Sequence, residues 1–492
     1  MSGHGLSKSK ITAWRQCPKR LWLETHRSEL LEVSDQAKQA FQTGHEIGGI
    51  AQQLCPGGIL IDDDNLSASI ESTKAALLKY PDRPIFEATF QHDGLLVRAD
   101  VLLPTKKGYR MAEVKSSSSV KPSHVEDCTI QAWVLKKNKI RLATIELAYV
   151  DKSFVYQGDG NYHGLLQSEI LDEEVKPLLK LVPVWISDAR HTLSGAEPAI
   201  EPGAQCNDPY ECPFNAYCTR DNVQPKEPKY PLDILNGMSQ KKKDELRSMG
   251  YVDARKVPAK HLNVRQQWIQ QVSKKEKAEL LDGAARELAA LPYPRYYLDF
   301  ETINLTVPRW ANTNPKLTHV PFQWSCHIED AHGKLQHEMF LDVSGNDPRR
   351  MCAEQMIMAL VSDGPVFVYF QNFEKSRIAE LAALFPDLAP ALHAINQRIV
   401  DLYLIAKANY CHPDMKGSWS IKAVLPTIAP DLDYTRLAVG NGLDAQAAYK
   451  EILHSDTPDA RKQELTEGLC EYCTLDTLAM VQMVRYFSGA AT

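Results

Sequence analysis

The sequence predicts a mixed α/β protein of two domains joined by a helical stretch. Two regions, 85–150 and 294–385, carry short strand-patterned runs bounded by Gly, Pro and Asp and interleaved with helical runs. Between them, 224–290 is lysine-rich, helical in pattern and poor in strands. The length of 492 residues corresponds to two to four domains at about 100–200 residues each. The expected organisation is therefore 1–223, a basic helical linker over 224–290, and 291–492.

In chain order, residues 6–25 read as an amphipathic helix entered through Ser7, and 34–55 as a second helix containing Gly44 and His45. Strands follow in IFEATFQ, GLLVRADVLLP and GYRMAEVKS, then a helix (VEDCTIQAWVLKKN) and a strand (IELAYV). The linker contains a turn at Met249-Gly250 and has a weak likeness to a helix-hairpin-helix. Strand pattern resumes in RYYLDFETI, PFQWSCHIED and KLQHEMFLDV, then alternates with helices up to a terminal helix, ELTEGLCEYCTLDTLAMVQMVRYF.

Hydrophobic residues at 44% and charged residues at 24% exclude a disordered or fibrous chain. No apolar run approaches the ~18 residues of a membrane span, and MSGHGLSKSK lacks the apolar stretch of a signal peptide. The expectation is a cytoplasmic protein with no membrane partner; no protein partner can be read. With 56 Lys+Arg against 62 Asp+Glu there is no global basic field, so any nucleic-acid surface must be local.

Eleven cysteines without an export signal point to reduced thiols. Most read as small buried hydrophobes. Cys206, Cys212 and Cys218 instead recur every sixth position in CNDPYECPFNAYC, and Cys17 is a remote fourth candidate. Four such thiolates suit either zinc or a [4Fe–4S] cluster, and spacing alone leaves both open.

Two acidic constellations carry the chemistry. In the first, Asp100 lies on one strand, and Glu113 and Lys115 share a face of the next, with Val114 expected to point into the core. Two carboxylates on adjacent strands can hold Mg²⁺ or Mn²⁺ through oxygen, and a neighbouring lysine can orient water and stabilise phosphate charge. In the second, LDFET places Asp299 and Glu301 on one strand face, while Tyr472 and Asp476, four apart, share one face of the terminal helix. Such carboxylates suit two cations about 3.5–4 Å apart.

The first constellation resembles the RecB-like, iron–sulfur branch of the PD-(D/E)xK nucleases, which have a restriction-endonuclease-like fold. The resemblance implies His45, Asp100 and Glu113 as metal ligands, Lys115 as catalytic lysine and Gln131 as the motif glutamine. It also implies Cys17, Cys206, Cys212 and Cys218 as ligands of a [4Fe–4S] cluster, with Zn²⁺ as the alternative.

The second constellation is similar to the DnaQ-like, RNase H-fold 3′–5′ exonucleases of the DEDD type. This implies Asp299, Glu301 and Asp476 as ligands, Tyr472 as the water-orienting tyrosine, and Glu374 or Asp401 as the fourth carboxylate. Phe370 stands where the motif asparagine would be. In KGSWSIKAVLP, Lys416, Trp419 and Lys422 form either a nucleic-acid-binding loop with a stacking indole or a core tryptophan beside surface lysines.

The order of these pieces resembles a bacterial family of uncharacterised proteins that fuse a RecB-like nuclease to a DnaQ-like domain; LSKSKITAWRQCPKRLWLE, CNDPYECPFNAYC and YYLDFETI are among the motifs that carry it. The function it implies is metal-dependent hydrolysis of phosphodiester bonds at nucleic-acid ends by two centres, in repair, recombination or defence. Single-stranded DNA is the favoured substrate and RNA the alternative. The competing readings are a binding scaffold with one or both centres inactive, and a nuclease gated by redox change at the cysteines.

Overall fold

The computed structural model describes residues 5–220, 227–432, 434 and 437–489. The chain divides into two compact units, one of 1–223 with 305–318 and the other of 224–304 with 319–492. The expected boundary at 223/224 falls within 221–226, outside the described residues.

In the first unit, β1 (Leu6–Ser7) leads into α1 (Lys8–Gln16) and α2 (Pro18–His26). The Ser7 hydroxyl accepts from the Lys10 amide and caps α1. The single helix expected over 6–25 is two helices, because Pro18 has no N–H to continue α1 and instead opens α2 at its first turn. Then come α3 (Asp35–Gln53), β2 (Ile59–Leu60), α4 (Leu66–Lys79), β3 (Ile85–His92), β4 (Leu95–Thr105), β5 (Gly108–Lys115), α5 (Pro122–Lys137), β6 (Leu142–Val150) and β7 (Leu166–Ile170). The sheet runs β2-β3-β4-β5-β6-β7, with β1 joining β4 in parallel.

Strands β3, β4 and β5 are antiparallel neighbours, whereas β5 and β6 are parallel and need a crossover, which α5 supplies. Every residue from Cys128 to Leu135 of α5 is buried, so the polar Gln131 among them must find a partner. On β5, alternation does not separate core from solvent. Glu113 is 1% exposed, while Val114 is half-buried and packs against Ile47 and Ile50 of α3.

The stretch expected to be a linker belongs to the second unit: Gln240–Ser248 and Val264–Lys275 are helical, with two short 3₁₀ turns between them rather than a tight hairpin. Tyr230, Leu232, Leu246, Val257 and Ile269 of this stretch are buried in one cluster with Tyr297, Phe367 and Met480. The lysines occupy its outer face, so the stretch is a layer of the second unit's core.

Strands β8 (Arg295–Ile303), β9 (Val320–Glu329), β10 (Leu335–Leu341), β11 (Val366–Val368) and β12 (Ile399–Asp401) form a second sheet in the order β10-β9-β8-β11-β12. The pairs β10–β9 and β9–β8 are antiparallel, while β8–β11 and β11–β12 are parallel. The terminal helix Asp459–Phe487 packs on β8 and β9. None of the described helices is long and apolar enough to cross a membrane.

Candidate functional site

In the first unit a cleft of about 290 Å³ is lined by Lys8, His45, Glu87, Asp100, Glu113 and Lys115, with Gly44, Gly48, Gly49 and Gln52 of α3. The sequence-predicted His45, Asp100, Glu113 and Lys115 therefore meet, although His45 is exposed at the rim. Gln131 reaches the same group from α5 and donates its Nε2 to Glu113 Oε2. Its own Oε1 is buried without a hydrogen-bond partner among the described residues.

Glu113 Oε1 accepts from two ammonium groups, Lys8 Nζ at 2.6 Å and Lys115 Nζ at 2.7 Å. Lys115 also reaches Asp127 Oδ2 at 2.7 Å, and Asp127 Oδ1 accepts from the Thr12 hydroxyl at 3.0 Å. Burial alone would push Glu113 up, but Lys115 and Lys8 override it and hold the carboxyl well below its ordinary value. Asp100 takes the opposite course. Burial and then the charge of Glu113 lift it to about 7, although Oδ2 accepts from the Val114 amide at 2.7 Å.

Lys8, Glu87 and Asp127 were not singled out from sequence. Phe86 pairs with Val101 and Ala88 with Ala99, so Glu87 stands opposite Asp100. Its φ of +54° is unusual for a residue in a strand, and burial raises its carboxyl pKa.

Cys17, Cys206, Cys212 and Cys218 line one small pocket with Lys19, Arg20, Leu23 and Phe214. Cys17 is the hinge between α1 and α2, its amide donating to Ala13 O. Burial raises the Cys212 and Cys218 thiols, and the Lys19 charge opposes this at Cys218. Among the described residues no three of these sulfurs lie within 4.8 Å of one another.

In the second unit Asp299, Glu301 and Asp476 bring one ligand oxygen each within 4.8 Å of one another. They line a cleft of about 350 Å³ with His319, Tyr369, Phe373, Glu374, Gln446 and Tyr472. Alternation on β8 supplies the first two, and the helical spacing of four supplies Tyr472 and Asp476. Burial and mutual repulsion act together here. Asp299 is pushed well above its ordinary value by burial, Asp476, Glu301 and Glu374. Glu301 rises to about 8 through burial and Asp476, and Asp476 to about 6 through burial.

Glu374 is 4% exposed, its Oε2 has no hydrogen-bond partner among the described residues, and burial lifts it to about 8. Three crowded carboxylates and a fourth with an unpartnered buried oxygen are a donor set that fits divalent cations.

The Tyr434 hydroxyl, not anticipated from sequence, donates to Asp476 Oδ1 at 2.5 Å. Burial and Asp476 keep the Tyr434 and Tyr472 phenols well above their ordinary pKa, hence protonated. Lys422 Nζ lies 5.3 and 5.4 Å from the rings of Tyr434 and Tyr472, and its charge lowers both Glu301 and Asp476. This predicted nucleic-acid contact therefore stands beside the acidic cleft.

Three expectations need correction. Asp401 is a helix cap: its carboxylate accepts from the Phe370, Gln371 and Tyr403 amides at 3.1, 3.2 and 3.0 Å, and it does not line the cleft. A carboxylate at a strand-to-helix turn satisfies free amides as readily as it binds a cation. Trp419 is 2% exposed with its indole N–H on Tyr410 O at 2.7 Å, so no base can stack on it. Lys416 turns away from the cleft, with Nζ on Lys229 O at 3.0 Å and 4.3 Å from the Tyr230 ring. The adjoining Gly417 is forced, since a Cβ there would stand 1.8 Å from Ile234 O.

A family model described as a domain of unknown function (DUF2779) matches residues 296–420, which include Asp299, Glu301 and Glu374 but end before Asp476. An uncharacterized protein of Ureaplasma parvum serovar 3 is 27% identical over 237 residues, covering 44% of this chain. The match spans about a third (34%) of that relative's length.

Proposed function

We propose that this chain is a metal-dependent nuclease that hydrolyses phosphodiester bonds at nucleic-acid ends, with single-stranded DNA as the favoured substrate and RNA as the alternative. The observation that carries the reading is the convergence of Asp299, Glu301 and Asp476 within 4.8 Å, beside the unpartnered oxygen of Glu374. Like charges brought this close disfavour one another unless a cation is shared between them. The strand order of the second unit and the placement of its carboxylates support a DnaQ-like, RNase H-type exonuclease domain. The cleft at Asp100, Glu113 and Lys115 supports a PD-(D/E)xK centre in the first unit.

Mg²⁺ or Mn²⁺, when bound, supplies Lewis acidity at the phosphate and lowers the pKa of water. Asp299, Glu301, Asp476 and Glu374 would hold it in the second unit, and Asp100, Glu113 and His45 in the first. The protonated Tyr472 hydroxyl orients a water from the Asp476 side. Tyr434 fixes the Asp476 carboxylate, and Lys115, clamped by Asp127, presents positive charge to the phosphate.

The thiols of Cys17, Cys206, Cys212 and Cys218, which line one pocket, would hold a [4Fe–4S] cluster, with Zn²⁺ as the alternative. A role in repair, recombination or defence follows from such an activity on nucleic-acid ends.

The test is digestion of end-labelled single-stranded DNA and RNA by the purified chain. Shortening with Mn²⁺ or Mg²⁺ that EDTA stops is the expected result. Binding without shortening, under either metal, would replace this reading with the scaffold reading.

A further inference from the structure

The first-unit cleft holds two lysines on one carboxylate oxygen, and they are held unequally. Lys115 has a second anion, Asp127 at 2.7 Å, which the Thr12 hydroxyl anchors in turn. Lys8 has Glu113 as its sole ion-pair partner among the described residues, at 2.6 Å. With Gln131 on the other oxygen, three donors occupy Glu113. A carboxylate offers about four lone-pair sites, so a cation that takes Glu113 must compete with these donors.

Asp127 keeps Lys115 in place when that happens, and Lys8 is the group free to leave. Its backbone is fixed, because Leu6 and Ser7 pair with Leu95 and Leu96 of β4 and Ser7 caps α1. Its side chain is 21% exposed and lines the cleft beside His45, Glu87 and Asp100.

We propose that Lys8 is a second catalytic lysine of this centre: it guards Glu113 in the resting enzyme, then passes its ammonium to a non-bridging oxygen of the scissile phosphate when cation and substrate enter. The inference rests on the nuclease reading of this cleft. Lys8 transfers no proton and forms no covalent bond; it exchanges one anionic partner for another. Cation entry and phosphate grip are thereby linked through one carboxylate. Lys115, tied to Asp127, contributes fixed charge.

The experiment uses the full chain carrying Asp299→Asn and Asp476→Asn, so that the first centre alone is read. Mn²⁺ binding is followed by calorimetry, and cutting by single-turnover digestion of end-labelled single-stranded DNA. Lys8→Met should bind Mn²⁺ on the order of ten-fold more tightly, since a competing charge is gone, yet cut about 10²-fold more slowly. Lys8→Arg should restore much of the rate, and melting curves should show all variants folded.

Unchanged cutting in Lys8→Met, or Mn²⁺ binding no tighter than in the parent, overturns the proposal while leaving the nuclease reading intact. A parent that binds Mn²⁺ but cuts nothing overturns the nuclease reading of this cleft, and the catalytic role of Lys8 falls with it.

Discussion

Asp127 holds Lys115 at 2.7 Å, and this ion pair, rather than the Glu113 contact alone, fixes where the lysine's charge sits. Both partners come from segments joined by the β5–α5 turn, and Asp127 is 6% exposed. Asp127→Asn keeps the shape and removes the charge. The variant should lose about 1–3 kcal/mol of stability, since a half-buried ammonium loses one of its two anions. First-centre cutting should slow mainly in kcat, with KM little changed. A loss confined to KM would argue that Asp127 meets substrate directly.

The crowded carboxylates of the second unit make a pH prediction. Glu301 is lifted to about 8, well above the range of an unfolded glutamate. Between those values the folded state retains a proton that the unfolded state has lost, so this group's contribution falls as pH rises through that window. Glu301→Gln should therefore stabilise the metal-free protein by on the order of 1–2 kcal/mol at pH 8 and have little effect below pH 4. Thermal melts in EDTA across that range check it, and equal shifts at both ends would contradict it. Added Mn²⁺ should raise the wild-type melting temperature and leave that of Glu301→Gln less affected.

Phe370 is 53% exposed and sits at φ +81°, in the left-handed region, with its amide on Asp401. A non-glycine residue there costs roughly 1–2 kcal/mol. Phe370→Gly should accordingly be neutral or stabilising by about 1 kcal/mol, whereas Asp401→Ala should lose about 1–2 kcal/mol through three orphaned amides. Chemical denaturation of the two variants measures both. Retention of divalent-cation binding by Asp401→Ala would agree with its place as a cap.

Much of the secondary structure was legible because its signals are local. Strand β8 was read at its observed bounds, Arg295–Ile303, and Asp299 and Glu301 follow from alternation along it. What was not legible depends on partners far along the chain. Lys8 stands 105 positions from Glu113, and its place depends on β1 pairing with β4, which nothing in LSKSK announces. Asp401 carries the right residue type beside the right motif, but a cap and a ligand have the same local signature. Lysines spaced along 224–290 suggested solvent on all sides, yet the apolar residues between them fill one core cluster.

Trp419 tests that distinction between loop and core. Its indole is buried and hydrogen-bonded, so Trp419→Ala should destabilise the protein by about 3–5 kcal/mol. Strand binding by the fraction that remains folded should be unchanged. A stable variant with selectively weakened strand binding would restore the stacking role.

In the proposed function, the three carboxylates of the second unit hold cations for phosphodiester hydrolysis. Its most direct test is single-turnover digestion of end-labelled single-stranded DNA in Mn²⁺ by Glu113→Gln, Asp476→Asn and the double variant. Each single variant should keep part of the activity, and the double variant should have none. Full activity in Asp476→Asn, with complete loss in Glu113→Gln, would contradict it.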